Sequence, residues 1–359
     1  MSMLMLMVQV GATPPPPGPP PPPVVVEQFA AARDPQPLIV TYRGSQARCG
    51  GTPVSPVHVE PPVPFAHFGG QSGIAPLALR FRIDARGRPV SIDGVDGRNY
   101  QTADVIPSFV AWRFQPDEQR SECAITLYPV SQPIADTDQA TLVRYFAAGG
   151  GYGSPMTAQL VRRIVPAGSD CIRGWPQLLT QVTPRFADLP GDPGTITTTA
   201  VAFDIDADGR PTDVRTFSGR DNVALDRAAA KAVAQWRYAD GPRRGCAYPL
   251  WRSSSDTLGA PDAPRGGGAE CGLPDEWATP PRLEFPAAYK RRRIEGWALI
   301  GFDVAPWGAL GNLRVLHAEP TFEFGEAALG VARSATKPKS NQGASNCSVM
   351  VQFKLDRGY

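Results

Sequence analysis

Six cysteines fall into three pairs of almost equal spacing. Cys49 to Cys123, Cys171 to Cys246 and Cys271 to Cys347 are 74, 75 and 76 residues apart. A phenylalanine follows the first cysteine of each pair after 32, 32 and 31 residues, at Phe81, Phe203 and Phe302. Six residues beyond each stands a glycine, Gly87, Gly209 or Gly308. A register kept three times marks an internal repeat, and it limits the fold to three versions of one unit.

The residues between these landmarks describe that unit. "LALRFRIDARGRPVSI" from Leu77, "VAFDIDADGRPTDV" from Val201 and "WALIGFDVAPWGALGNLRVL" from Trp297 each read as a β-hairpin, two alternating runs around a glycine turn. The middle turn also matches the opening half of a calcium loop, through Asp204, Asp206, Asp208 and Gly209. The bidentate Glu that such a loop needs at its twelfth position is Arg215 here, and the sister turns read "DARG" and "APWG". These are turns, and no metal or cofactor is expected.

After the middle hairpin, Leu225, Ala229, Val233 and Trp236 fall on one helical face. "SGRDN" offers N-capping residues before it, and Gly241–Pro242 stops the chain after it. The first version has Pro107 where its helix should already run, which predicts a short helix or one starting after the proline. The third keeps an alanine-rich helix, with Ser334 near the tryptophan position. Each unit closes on a run at its second cysteine, and the last alternates over Val349, Val351, Phe353 and Leu355 as a strand.

The expected fold class is α+β: three tandem small domains, each a three-stranded antiparallel sheet packed by one or two helices. Their bounds are 41–135, 168–255 and 271–357, joined by a connector over 136–167 and a Gly/Pro linker over 256–270. Residues 1–40 form a signal-like segment and a proline-rich spacer. Six cysteines allow fifteen connectivities. One pair per unit selects Cys49–Cys123, Cys171–Cys246 and Cys271–Cys347. Each bridge closes a long loop, worth about 4.5 kcal/mol in the chain-entropy model, and requires its Cα atoms within about 7 Å. The alternative, a cysteine metal site, has no CxxC pair, and His58, His67 and His317 are scattered.

Disulfides imply an oxidising compartment. The start, "MSMLMLMVQVGA", has the apolar core and small-residue end of a secretory signal, although the first basic residue is Arg33. A Met-rich tail is the alternative. "PPPPGPPPPP" after it favours polyproline II, a semi-rigid spacer. No stretch reaches the apolar length of a transmembrane helix. The formal net charge of +2 gives no footprint for nucleic acid. The basic run Lys290–Arg293 reads as the solvated face of a short helix. "GGGYGSP" from Gly149 lacks a P-loop ending, and there is no Gly-x-Ser-x-Gly elbow, so no enzyme is expected.

The order of elements resembles the C-terminal domain of the TonB energy transducers of Gram-negative bacteria. In the third unit Phe285–Pro286 stands for the family's Tyr-Pro, Gly296 for the glycine before its first strand, and Ala327–Ala328 for its paired alanines. The middle unit matches through Leu225–Asp226, Ala228–Ala229 and Trp236–Arg237–Tyr238, and the first through Trp112–Arg113–Phe114 and Pro116. The resemblance implies a periplasmic protein whose partners are outer-membrane receptors or other envelope proteins. It implies strand addition at the last strand, here Val349, Val351, Phe353 and Leu355, and a tie to energy-dependent transport. A stacked, non-transducing scaffold is the alternative.

Overall fold

The computed structural model describes residues 37–68, 74–94, 104–116, 119–149, 157–173, 176–217, 222–264, 271 and 276–355. The signal-like segment, the proline run and residues 150–156 and 265–270 lie outside them.

The first unit opens with four short strands, β1 (Leu38–Gly44), β2 (Ala47–Cys49), β3 (Thr52–Val54) and β4 (Phe65–His67). The expected hairpin follows as β5 (Leu77–Ile83) and β6 (Pro89–Gly94), then α1 (Val105–Val110) and β7 (Arg120–Pro133). Pro107 sits inside α1 in its first turn, where no N–H is needed, and the helix is short. Two helices occupy the connector, α2 (Gln139–Ala148) and α3 (Thr157–Ile164). The second unit contains β8 (Leu178–Thr180), β9 (Ile196–Ile205), β10 (Pro211–Phe217), α4 (Val223–Val233), β11 (Arg237–Tyr238) and β12 (Arg243–Ser253). The third contains α5 (Ala287–Arg292), β13 (Gly296–Val304), β14 (Leu310–Glu319), α6 (Phe322–Arg333) and β15 (Ala344–Phe353).

Every unit has the same antiparallel core, with the first hairpin strand in the middle: β6-β5-β7, β10-β9-β12 and β14-β13-β15. The repeated landmarks have one structural reason each. The second cysteine lies directly opposite the hairpin phenylalanine across the sheet, as Phe81 to Cys123, Phe203 to Cys246 and Phe302 to Cys347. The turn glycines adopt φ of 70°, 73° and 91°. Their carbonyls accept hydrogen bonds from the N–H of Phe114, Tyr238 and Lys337 at 2.8, 2.9 and 2.9 Å. A Cβ there would come within 2.2, 2.0 and 2.0 Å of the carbonyl oxygens of the same three residues. Glycine is therefore required both by its dihedral and by the close approach.

This clasp ties the helix exit to the hairpin turn and aligns the units independently of sequence. It places Ala335, not Ser334, at the position of Trp112 and Trp236. The missing ring is compensated by Trp277, which lies 6.4 Å from Phe302, as Trp236 lies 6.4 Å from Phe203. The aspartates of the middle turn are engaged in shaping it. The Asp206 carboxylate accepts from the N–H of Asp208 and Arg210 at 2.9 and 2.8 Å, and Asp204 accepts from Gly245 N–H at 2.7 Å.

Three disulfides link Cys49–Cys123, Cys171–Cys246 and Cys271–Cys347, with Cα separations of 3.9, 5.2 and 4.8 Å. The cores are less modular than the sequence suggests. Leu225, Ala229, Val233 and Trp236 are all buried, and three of them pack with Val201, Phe203 and Leu250 on one face of the second sheet. On its other face Ala200 and Ala247 lie under Leu142, Phe146 and Leu160 of α2 and α3. The first and third units share one core, in which Ile92 and Phe109 belong with Ile300 and Phe324. Among the described residues, no helix is long and apolar enough to cross a membrane.

Candidate protein-binding edge

A small sheet offers two things to a partner, an outer edge of unpaired backbone groups and an uncovered face. The three last strands differ in both. On the side of β7 away from β5, β1 pairs from Leu38 opposite Pro133 to Gly44 opposite Leu127. Beyond it β2 sets Arg48 opposite Ala124 and Cys49 opposite Cys123. Among the described residues, β12 pairs with β9 alone and β15 with β13 alone. Strand β12 carries Pro249 opposite Ala200. Proline is tolerated in an edge strand where its ring nitrogen faces away from the ladder, and there it interrupts the outward row of donors. Strand β15, "ASNCSVMVQF", has no proline.

The side chains expected to form the partner strand sit on the core face of β15. Phe353 is wholly buried, 5.8 Å from Phe285 and 5.2 Å from Phe324. Val349 and Val351 are half-buried against the same core. Leu355, just past the strand, is half-buried, and its N–H donates to the Glu295 carboxylate at 2.9 Å. What this strand presents outward is backbone, together with Ser348, Met350 and Gln352 on the opposite face.

Residues 194–253 and 281–355 match the family model of the Gram-negative bacterial TonB protein C-terminal. The chain carries TonB C-terminal-like domains. The match covers the second and third units, and it suggests a TonB-like protein of the Gram-negative envelope with protein partners. No curated protein matches the chain.

The TonB-like units meet at a buried cluster of charges that sequence reasoning did not foresee. Arg292, expected on a solvated face, is wholly buried. It donates to Asp104 at 2.9 and 2.6 Å, to Glu60 at 2.9 Å and to the Gly194 carbonyl at 3.1 Å. Glu60 also accepts from Arg144 at 2.8 Å and from Ile196 N–H at 3.0 Å. Asp104 also accepts from Val63 N–H at 2.6 Å and from Arg291 at 3.1 Å. The first unit, the connector helix, the second unit and the third unit each contribute. Burial would raise the Asp104 carboxyl, but Arg292 and Arg291 hold it below the usual carboxylate range. Burial likewise opposes the charge on Arg292, and Asp104 and Glu60 outweigh it. Such a network is favourable only while every member is paired.

A second polar group is confined to the third unit. The buried Tyr289 hydroxyl donates to Glu323 and lies 2.8 Å from the Thr321 hydroxyl. Burial raises the Glu323 carboxyl more than the Tyr289 hydrogen bond lowers it.

Proposed function

We propose that this protein is a periplasmic TonB-like adaptor, in which the first unit is a third, diverged version of the domain. It takes an extended segment of an outer-membrane receptor or other envelope protein as an added strand along β15. Backbone hydrogen bonds supply affinity, and Ser348, Met350 and Gln352 contribute selectivity on the outer face. One observation carries this reading: among the described residues, β15 is the last strand whose outer edge is both unpaired and free of proline. A role in energy-dependent transport is supported by the family relationship alone.

The scaffold reading is favoured by a different observation, the common core of the first and third units and the charge cluster at their junction. The two are compatible if the scaffold holds β15 outward. Neighbouring N–H groups along a strand point alternately to its two sides. Of Val349→Pro and Met350→Pro in the full chain, one therefore removes an edge donor and the other breaks a bond to β13. Capture of a receptor from outer-membrane extract should be lost in the edge variant while its thermal unfolding stays near that of the parent. Equal capture by both folded variants would refute strand addition at β15.

A further inference from the structure

We propose that the first unit is self-complemented: β1 and β2 occupy on β7 the place that a partner strand occupies on β15. The inference rests on strand addition being the mode of binding, and it assigns Leu38–Cys49 as the built-in occupant of a site that would otherwise be open. The landmark pairs fix the correspondence. Cys123 and Cys347 lie opposite the hairpin phenylalanines of their own units, so the β7 edge beyond Cys123 corresponds to the β15 edge beyond Cys347. In the first unit that edge is followed by the chain's own backbone. Cys49 lies opposite Cys123, Ser45 N–H donates to the Thr126 carbonyl at 2.8 Å, and Gly44 lies opposite Leu127.

The occupant is fixed in three ways. The Cys49–Cys123 bridge fastens one end. Ile39 and Val40 are buried, with Ile39 in the core beneath α2 and α3. Strand β4 backs β1 from Leu38 to Val40. The opposite edge of the sheet is closed as well, because Ile92 on β6 donates its N–H to the Pro320 carbonyl of the third unit at 2.9 Å. The β6-β5-β7 core of the first unit thus has both edges engaged, and binding falls to the third.

The test uses the full chain and a synthetic peptide of residues 38–48. Thr41→Pro breaks β1 at its centre and removes a donor aimed at β7. Tyr128, Val130 and Gln132 of β7 pair with β1 and not with β5 and point their N–H groups to the β1 side, so their amides should exchange at least about tenfold faster. Adding the peptide should restore their protection. If the variant does not fold, a protease site inserted between Gly50 and Gly51 serves instead, with Cys49→Ser and Cys123→Ala. Both glycines lie in an exposed turn with open space around them. The cleaved segment should then stay bound and be replaced by labelled peptide. Unchanged β7 exchange in Thr41→Pro, or departure of the cleaved segment without faster exchange, would overturn the proposal. Failure of receptor capture at β15 with successful peptide complementation would instead refute the proposed function and leave the self-complementation standing.

Discussion

The second and third units match the same family model and share one sheet order, yet they are finished differently. In the second, the sheet is covered on both faces, by α4 and by α2 with α3. Its outward positions are small, Ala200 and Ala247, which lets the connector helices approach. In the third, α6 covers one face, while Leu316 on β14 and Gln352 on β15 remain exposed. The edges repeat the contrast, with Pro249 in β12 and none in β15. The difference teaches that a shared domain sequence does not make equivalent binding units. What the connector covers and where proline stands decide which edge is available.

Severing the two units from each other should have the largest effect. Arg292→Met leaves Asp104 and Glu60 short of a partner in a buried site, and breaking one side of such a network costs about 3–5 kcal/mol. Chemical denaturation should show this loss, and the third unit should unfold separately from the second. Uncovering the second sheet comes next. Leu142→Ala removes a fully buried side chain from the helical layer over Ala200, a loss of about 3 kcal/mol. The same truncation on the open face of the third sheet, Met350→Ala, should change stability by no more than about 0.5 kcal/mol.

The third unit and the charge cluster at the junction should also differ in how acid affects them. Glu323 has a raised carboxyl in the folded third unit, so its contribution is full at low pH and fades as pH rises through the folded value. Asp104 has a lowered carboxyl, so its contribution is present above the ordinary carboxylate range and is lost as pH falls through the folded value. Melting temperature against pH should therefore lose its decline on the alkaline side of the Glu323 titration in Glu323→Gln and keep the acid limb. A modest change in stability is expected at the edge of the second unit. Pro249→Val should stay within about 1 kcal/mol, while supplying the outward donor that β12 lacks, and receptor capture should then gain a second site.

The parts legible in the sequence are those fixed by spacing along the chain. The three hairpins, the cysteine pairing and the buried face of α4 follow from periodicity and from landmarks a few residues to one unit apart. The hairpin Phe and the second Cys recur together in every unit because those two residues face each other across the sheet. The rest depends on contacts between units. Nothing near "YKRRR" shows that Arg292 is buried, since its carboxylates lie 188 and 232 residues away. Strand β1 starts at Leu38, inside the segment that reads as the end of the spacer, because its pattern gains meaning only beside β7. Alternation over Val349, Val351 and Phe353 identified a strand correctly, but it marks the face toward the core. Whether an edge is open is a property of the neighbours, which no local pattern encodes.

Site-specific photo-crosslinking in intact cells tests the central claim most directly. A photoreactive residue replaces Met350 on β15, Trp251 on β12 or Tyr128 on β7, one at a time in the full chain. The account predicts a crosslinked envelope protein from position 350, abolished by the edge-removing proline variant, and none from 251 or 128. Crosslinks of equal strength from all three positions, or from 251 in place of 350, would contradict it.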